Sequence, residues 1–73
     1  MLIQTKIYCE LDETNWWDDY MFDLSNYISH SRSDDFSLLL LRGMDGPVTI
    51  QLSFDELAAE LHILNTFETI SLN

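Results

Sequence analysis

Hydrophobic and polar residues alternate along residues 2–11. The odd positions form a largely apolar face, made of Ile3, Thr5, Ile7, Cys9 and Leu11. The even positions form a largely polar face, made of Gln4, Lys6, Tyr8 and Glu10. A period of two is typical of a strand with one face on the core. The pattern therefore predicts a first strand over residues 2–11.

The pattern changes after Asp12 and Glu13. Thr14 or Asn15 can cap a helix, and early aspartates suit its first turns because the helix dipole favours anions there. Apolar residues then recur at spacings of three and four: Trp17, Tyr20, Met21, Leu24 and Ile28. This stripe predicts a helix over residues 14–29. Residues 29–35 are polar and aperiodic, so we expect a loop there.

A hairpin is predicted in the middle of the chain. Residues 36–42 include four consecutive leucines and indicate a buried strand. Residues 43–47 contain two glycines and the proline, a turn composition. Residues 48–52 alternate again, so the two strands should pair through a longer loop.

A second helix has a clear start signal. Ser53 and Glu56 form a capping box, in which each side chain can bind the backbone N–H of the other residue. The apolar face that follows contains Phe54, Leu57, Ala58, Leu61 and Leu64. Residues 69–72 alternate and predict a short last strand.

The predicted order is β-α-β-β-α-β over a single domain of residues 1–73. Two helices on one face of a four-stranded, mainly antiparallel sheet would bury the apolar faces of all six elements. This is the α+β, ferredoxin-like split βαβ arrangement.

Charge is the most unusual part of the composition. Thirteen acidic residues face three basic ones, Lys6, Arg32 and Arg42, for a formal net charge of −10. Direct binding to nucleic acid or to an anionic membrane requires clustered Lys and Arg, so we expect neither. The carboxylates are then either simply solvated or directed at a basic protein partner.

The single cysteine, Cys9, excludes an intrachain disulfide, which suits a reducing compartment. The first residues lack the basic start and apolar stretch of a signal peptide. We therefore expect a cytoplasmic protein, and the cytoplasm can be that of an infected host cell.

No pattern points to catalysis, a metal or a cofactor. His30 and His62 lie far apart without ligand spacing around them, and both are expected at the surface or in loops. Cys9 falls on the inward face of the first strand, where a thiol usually behaves as a small hydrophobe. The two glycines flank a turn and cannot form a phosphate-binding loop before a helix. We expect a binding protein, not an enzyme.

RNA binding by the open sheet face is also disfavoured. RRM domains share the predicted topology and stack bases on aromatic residues that have basic neighbours. The outward positions here would offer one tyrosine, Tyr8, and one lysine, Lys6, in a strongly negative field.

The predicted first helix carries the candidate interface. Phe22 and Trp16 would lie at its solvent face and border, beside Asp19 and Asp23, whose carboxylates would be about 6 Å apart along one helix face. An aromatic anchor with anionic surroundings suits an interface with a cationic protein. The predicted partner-binding residues are Glu10, Asp12, Glu13, Trp16, Asp18, Asp19, Phe22, Asp23, Asp34 and Asp35.

In size, charge and lack of a catalytic motif, the chain resembles inhibitors that phages and plasmids use against host defences, such as anti-CRISPR and antirestriction proteins. The resemblance implies occupation of a DNA- or RNA-binding channel, and it transfers no functional residue. Ten net charges over a globule about 29 Å across would be roughly three-fifths of the charge density of duplex DNA.

Two other functions use the same features. One is an immunity or antitoxin-type partner of a toxic enzyme. The other is a structural or regulatory subunit, or a homodimer, that associates through Leu2, Tyr8 and one face of the leucine run.

Overall fold

The first two strands form one long hairpin. In the computed structural model, which describes the backbone of residues 1–71 and the side chains of residues 1–64, β1 (Leu2–Leu11) pairs antiparallel with β2 (Thr14–Asp23) along its whole length. The predicted alternation of β1 is confirmed, since odd positions from Ile3 to Cys9 are buried or half-buried and even positions are exposed. Asp12 and Glu13 form the turn.

The predicted first helix over residues 14–29 is wrong. Trp16, Trp17, Tyr20 and Phe22 are aromatic residues that fit the pleated surface of a sheet. β1 also offers a complete row of backbone partners for this segment. Spacings of three and four can occur within an aromatic-rich strand, so the apparent helical stripe was not decisive.

A third strand replaces the predicted loop over residues 29–35. A short 3-10 helix, Leu24–Asn26, leads into β3 (Tyr27–Ser33), which pairs antiparallel with β4 (Phe36–Leu41). β3 lies at an edge of the sheet, and Ser29, Ser31 and Arg32 are exposed there, so its polar side chains remain in solvent. Asp34 and Asp35 form its turn.

The predicted central hairpin is confirmed, with shorter strands. β4 ends at Leu41 and β5 (Val48–Ile50) pairs antiparallel with it, whereas the sequence predicted ends at residues 42 and 52. Ile50 also pairs with Ile7 of β1, so β5 joins the two halves of a sheet with the order β2-β1-β5-β4-β3.

The helix α1 (Phe54–Ser71) begins as predicted. The Ser53 N–H donates to the Glu56 carboxylate and the Glu56 N–H donates to the Ser53 hydroxyl, each at 3.1 Å, so the capping box is confirmed. The predicted strand over residues 69–72 is wrong as far as Ser71, where the backbone is helical, and Leu72 lies outside the described residues. Within those residues, no helix has the length and apolar character needed to cross a membrane.

The fold is therefore α+β, with five antiparallel strands and one α-helix in the described chain. The predicted four-stranded, two-helix ferredoxin-like arrangement is wrong. Its first helix is a strand, and with that change the sheet gains two strands before the central hairpin.

The sheet must also roll. β2 and β3 are its two edges, about 19 Å apart in a flat five-stranded sheet, yet three residues connect them. Rolling brings the edges together at this corner and encloses the core. The core residues share one strand face or line the helix: Ile3, Phe22, Leu24, Leu39, Leu41, Ile50 and Leu57. Tyr8, Trp17, Phe36 and Leu38 have the opposite parity and face outward.

Candidate functional site

The end of the β1–β2 hairpin projects beyond the core. Every residue from 10 to 16, here called the hairpin tip, is exposed. The tip contains Glu10, Asp12 and Glu13 and no basic residue. It is an acidic two-stranded ribbon.

The turn of the tip is conformationally demanding. Asp12 and Glu13 have φ angles of 49° and 68°, as in a type I′ turn, where Asn-Gly is the favoured pair. A left-handed conformation costs a non-glycine residue about 1–2 kcal/mol. Aspartate is tolerated at the first of these positions, but Glu13 occupies the second, where glycine would be less strained.

Two large apolar side chains accompany these charges. Leu11 is 64% exposed and Trp16 is 41% exposed. Trp16 shares the face of the sheet that forms the core, but it lies opposite Cys9, farther along the hairpin than the pair of core residues Ile3 and Phe22. Trp16 is thus an exposed aromatic residue within the acidic tip, and not at the border of a helix beside Asp19 and Asp23 as predicted.

Asp18 and Asp19 lie in the middle of β2. The Asp19 carboxylate accepts a hydrogen bond from Lys6 Nζ at 2.9 Å, and this bond and the charge of Lys6 lower the pKa of Asp19. The Asp18 carboxylate accepts from the Asp19 N–H at 2.9 Å. The ion pair is exposed, so its stabilising effect is small.

The predicted pairing of Asp19 with Asp23 on one helix face is wrong, because both residues lie in a strand. Four residues of strand span roughly 13 Å, about twice the separation that a helix would give. Asp23 lies at the opposite end of the hairpin from the tip. Its carboxylate accepts hydrogen bonds from the Ser25 N–H at 3.0 Å and from the terminal amine of Met1 at 3.3 Å.

Phe22 lies in the core and not at the surface. It is 5% exposed and packs in the core near Ile3, its pairing partner, so the predicted solvent-facing position is wrong. The strand parity of β2 explains the error, since Phe22 alternates with Met21, which is 50% exposed.

Asp34 and Asp35 form the other acidic turn, between β3 and β4. Asp34 is left-handed, with φ 53°, and both side chains are exposed. The predicted site residues are therefore divided. Glu10, Asp12, Glu13 and Trp16 belong to the tip, Asp18 and Asp19 follow along β2, and Asp34 and Asp35 lie on a separate turn.

An aromatic platform on the outer sheet face was missed by the sequence analysis. It consists of Tyr8, Trp17 and Phe36. The rings of Tyr8 and Trp17 meet edge-on at 5.6 Å, and those of Trp17 and Phe36 are tilted at 5.0 Å. Tyr8 is 38% exposed, and the other two are half-buried. If residues 14–23 had been predicted as a strand paired with β1 through a turn at residues 12–13, Tyr8 would have been placed opposite Trp17.

The platform lies next to the acidic groups. Glu10 and Asp19 are each two residues from a platform member, so they share its face. Asp34 and Asp35 directly precede Phe36 in the chain. An open depression of about 570 Å³, lined in part by Lys6, Asp19 and Met21, continues this face.

His30 anchors the helix. Its Nδ1 lies 2.8 Å from the Tyr27 hydroxyl and its Nε2 lies 3.3 Å from the Phe54 carbonyl oxygen. Its ring packs against the Phe54 ring with the centroids 4.4 Å apart and the planes tilted by 35°. The Arg32 guanidinium covers the same Phe54 ring at 4.7 Å and pairs with Asp55 at 3.4 Å. His30 is thus a half-buried strand residue and not a loop residue, whereas His62 is exposed as expected.

Cys9 is half-buried, with Sγ 3.8 Å from the Ile7 carbonyl oxygen. Among the side chains that the structure describes, no three His, Cys, Asp or Glu residues are grouped as a metal site requires.

Comparison with known proteins found no matching family model, no matching curated protein and no matching solved structure.

Proposed function

We propose that this protein is a non-catalytic inhibitor that binds a basic surface of a nucleic-acid-handling protein, such as a nuclease or a defence complex. Its carboxylates occupy the surface that would otherwise hold DNA or RNA. The observation that supports this most directly is the exposed hairpin tip, which has three carboxylates, an exposed tryptophan and no basic residue.

A projecting ribbon suits insertion into a cleft. Exposed carboxylates increase the rate of encounter with a cationic surface. Trp16 can then be buried, and tryptophan is enriched among residues that dominate binding energy. The left-handed Glu13 supports the same function, because glycine at this position would stabilise the fold but remove a charge.

The shape favours a local contact over imitation of a whole duplex. The molecule extends 52 × 24 × 18 Å, longer than the 29 Å globule expected from its length. Its ten net charges amount to one per about 5 Å of the long axis, roughly a third of the charge density of duplex DNA. The hairpin tip is therefore the proposed point of contact.

We place this interaction in the cytoplasm, such as that of an infected host cell, because the lone Cys9 suits a reducing compartment. An immunity protein for one toxic enzyme would use the same contacts, and the identity of the captured partner distinguishes the two.

The test is capture of partners from a lysate of the source cell at low salt, followed by mass spectrometry and a DNA- or RNA-competition assay on each captured protein. We expect a basic nucleic-acid-binding protein whose affinity falls steeply between roughly 50 and 500 mM salt, as screening weakens charge pairing. Nucleic acid should displace the inhibitor from this protein.

Two variants with equal loss of charge locate the contact. Asp12→Asn/Glu13→Gln should weaken binding, whereas Asp45→Asn/Glu60→Gln, which changes carboxylates outside the tip, should bind nearly as the wild type does. Equal weakening by both variants would show that the tip is not the contact. Affinity that ignores salt, or binding unaffected by nucleic acid, would contradict the proposed function.

A further inference from the structure

The aromatic platform of Tyr8, Trp17 and Phe36 has no role in the core. Its members have outward strand parity. None of them belongs to the core cluster or to the hydrophobic residues that pack against it. Aromatic residues that remain partly exposed on a small domain leave apolar surface that a partner can cover.

The charges around the platform favour a cationic occupant. Glu10 lies on the same face, two residues from Tyr8, and the exposed Asp34–Asp35 turn leads into Phe36. Lys6 is nearby, but its ammonium is already paired with Asp19 at 2.9 Å. A second copy of the chain would bring two molecules of net charge −10 together, so self-association is disfavoured.

One arginine within the fold already contacts an aromatic ring and a carboxylate at the same time. The Arg32 guanidinium lies over the Phe54 ring at 4.7 Å while it contacts the Asp55 carboxylate at 3.4 Å. The outer face offers the same two groups, aromatic rings with carboxylates beside them, in an accessible position.

We propose that the aromatic platform binds arginine side chains from an extended basic segment of the partner protein. The inference rests on the proposed function and adds the chemistry of the partner. A guanidinium is planar and weakly hydrated, so it can stack on Tyr8 or Trp17 and donate hydrogen bonds to a carboxylate. An ammonium is more strongly hydrated and pairs as a point charge, so the platform should select arginine over lysine.

The test uses the full chain and two probes, acetylated octa-arginine amide and octa-lysine amide. Binding is measured by calorimetry, and the indole N–H signals of the two tryptophans are followed by NMR. We expect octa-arginine to bind several-fold more tightly and to shift the Trp17 signal more than octa-lysine does. A Trp16→Phe variant assigns the Trp17 signal.

A substitution on the platform should weaken the binding of octa-arginine and leave the binding of octa-lysine nearly unchanged. Tyr8→Leu should weaken octa-arginine binding roughly 2- to 5-fold, the range of an exposed cation–π contact, and change octa-lysine binding little. Met21→Leu, on the same face but outside the platform, is the matched control. Tyr8→Phe keeps the ring and should bind as the wild type does, and circular dichroism verifies that each variant is folded.

The outcomes separate this inference from the proposed function. If both probes bind equally and Tyr8→Leu has no effect, the platform does not bind arginine, although the hairpin tip can still be the contact. A concentration-dependent dimer that is lost in Tyr8→Leu would also overturn the inference, because a second copy would cover the face. Arginine selection without any nucleic-acid-handling partner would support the platform and contradict the proposed function.

Discussion

At the scale of single residues, local partners separate the carboxylates into different classes. Asp19 is paired with Lys6, and Asp55 with Arg32. Asp23 accepts from the Ser25 N–H, which is the main reason why its pKa lies below its ordinary value. The sequence shows thirteen similar acids, but the contacts show that several of them act within the fold.

Asp23 should give a measurable pH dependence. Folding lowers its pKa below 3.8, so the ionised carboxylate contributes stability that is fully present above about that pH and is lost as the pH falls through the folded pKa. Urea denaturation should show Asp23→Asn less stable than the wild type at pH 6, with the difference shrinking toward pH ~2. A difference that stays constant with pH would mean that the ionisation of Asp23 does not contribute to stability. Asp45→Asn is the control.

Removing the Ser37 hydroxyl should stabilise the protein. Ser37 is fully buried in β4, and its hydroxyl has no hydrogen-bond partner among the described residues. An unsatisfied buried polar group costs about 1–3 kcal/mol, so Ser37→Ala should raise the free energy of unfolding by roughly 1 kcal/mol. Ser31→Ala, exposed on the neighbouring strand, should change it by less than about 0.5 kcal/mol. A large loss in Ser37→Ala would show that the hydroxyl is satisfied.

At the scale of elements, β2 is the segment where spacing misled the sequence analysis. Its apolar residues fit a period of 3.6 as easily as a period of two. Aromatic content and the Asp-Glu turn before it were the signals for a strand. In a strand, the alternation of side chains decides which face of the sheet each residue takes. Phe22 enters the core and Trp17 joins the outer platform, the reverse of the helical assignment.

Substitutions in β2 test this parity directly. Phe22→Leu should lower the free energy of unfolding by roughly 1 kcal/mol and Phe22→Ala by about 3–5 kcal/mol, because buried contacts are lost and a cavity is left. Met21→Ala, at a half-exposed neighbouring position, should have a small effect. The two effects would be reversed if the segment were a helix with Phe22 facing solvent. Urea denaturation followed by circular dichroism measures both.

Glycine in place of Glu13 in the tip turn should stabilise the fold and remove one negative charge. Glu13 has φ 68°, so Glu13→Gly should stabilise the fold by about 0.5–1 kcal/mol, the relief of strain less the entropy cost of glycine. Asp35→Gly removes one charge from a turn position without a positive φ and should be destabilising. Thermal denaturation compares them. If Glu13→Gly is destabilising, the left-handed turn is not strained.

At the scale of the whole molecule, the net charge of −10 opposes folding. The elongated shape and the projecting tip keep part of this charge apart, at the expense of a small core of seven buried hydrophobic residues among those described. A chain of this length has a stability of only about 4–11 kcal/mol, so long-range repulsion is a significant fraction of it.

Salt should therefore stabilise the free protein, and it should weaken the proposed binding to a basic partner. Two carboxylates about 10 Å apart repel by roughly 0.4 kcal/mol in water, and salt screens this. The urea midpoint should rise between about 50 and 500 mM NaCl, and it should rise less for Asp12→Asn/Glu13→Gln than for the wild type. An equal or larger rise in that variant would show that the tip charges do not contribute to the repulsion.

By itself, the sequence determined the features that depend on neighbouring residues. The alternation of β1, the turn-linked β4–β5 hairpin and the capping box from Ser53 to Glu56 all follow from patterns within about ten residues. The large excess of carboxylates is likewise a property of composition.

Tertiary structure decided what depends on a distant partner. Residues 14–23 form a strand because β1 supplies their backbone hydrogen-bond partners. Residues 27–33 form a strand because β4 supplies theirs. That pairing buries Phe22, places Tyr8 beside Trp17 and leaves the acidic tip projecting. Local propensity is weak when aromatic residues fit either period, so the pairing of distant strands determined which carboxylates and rings are presented together.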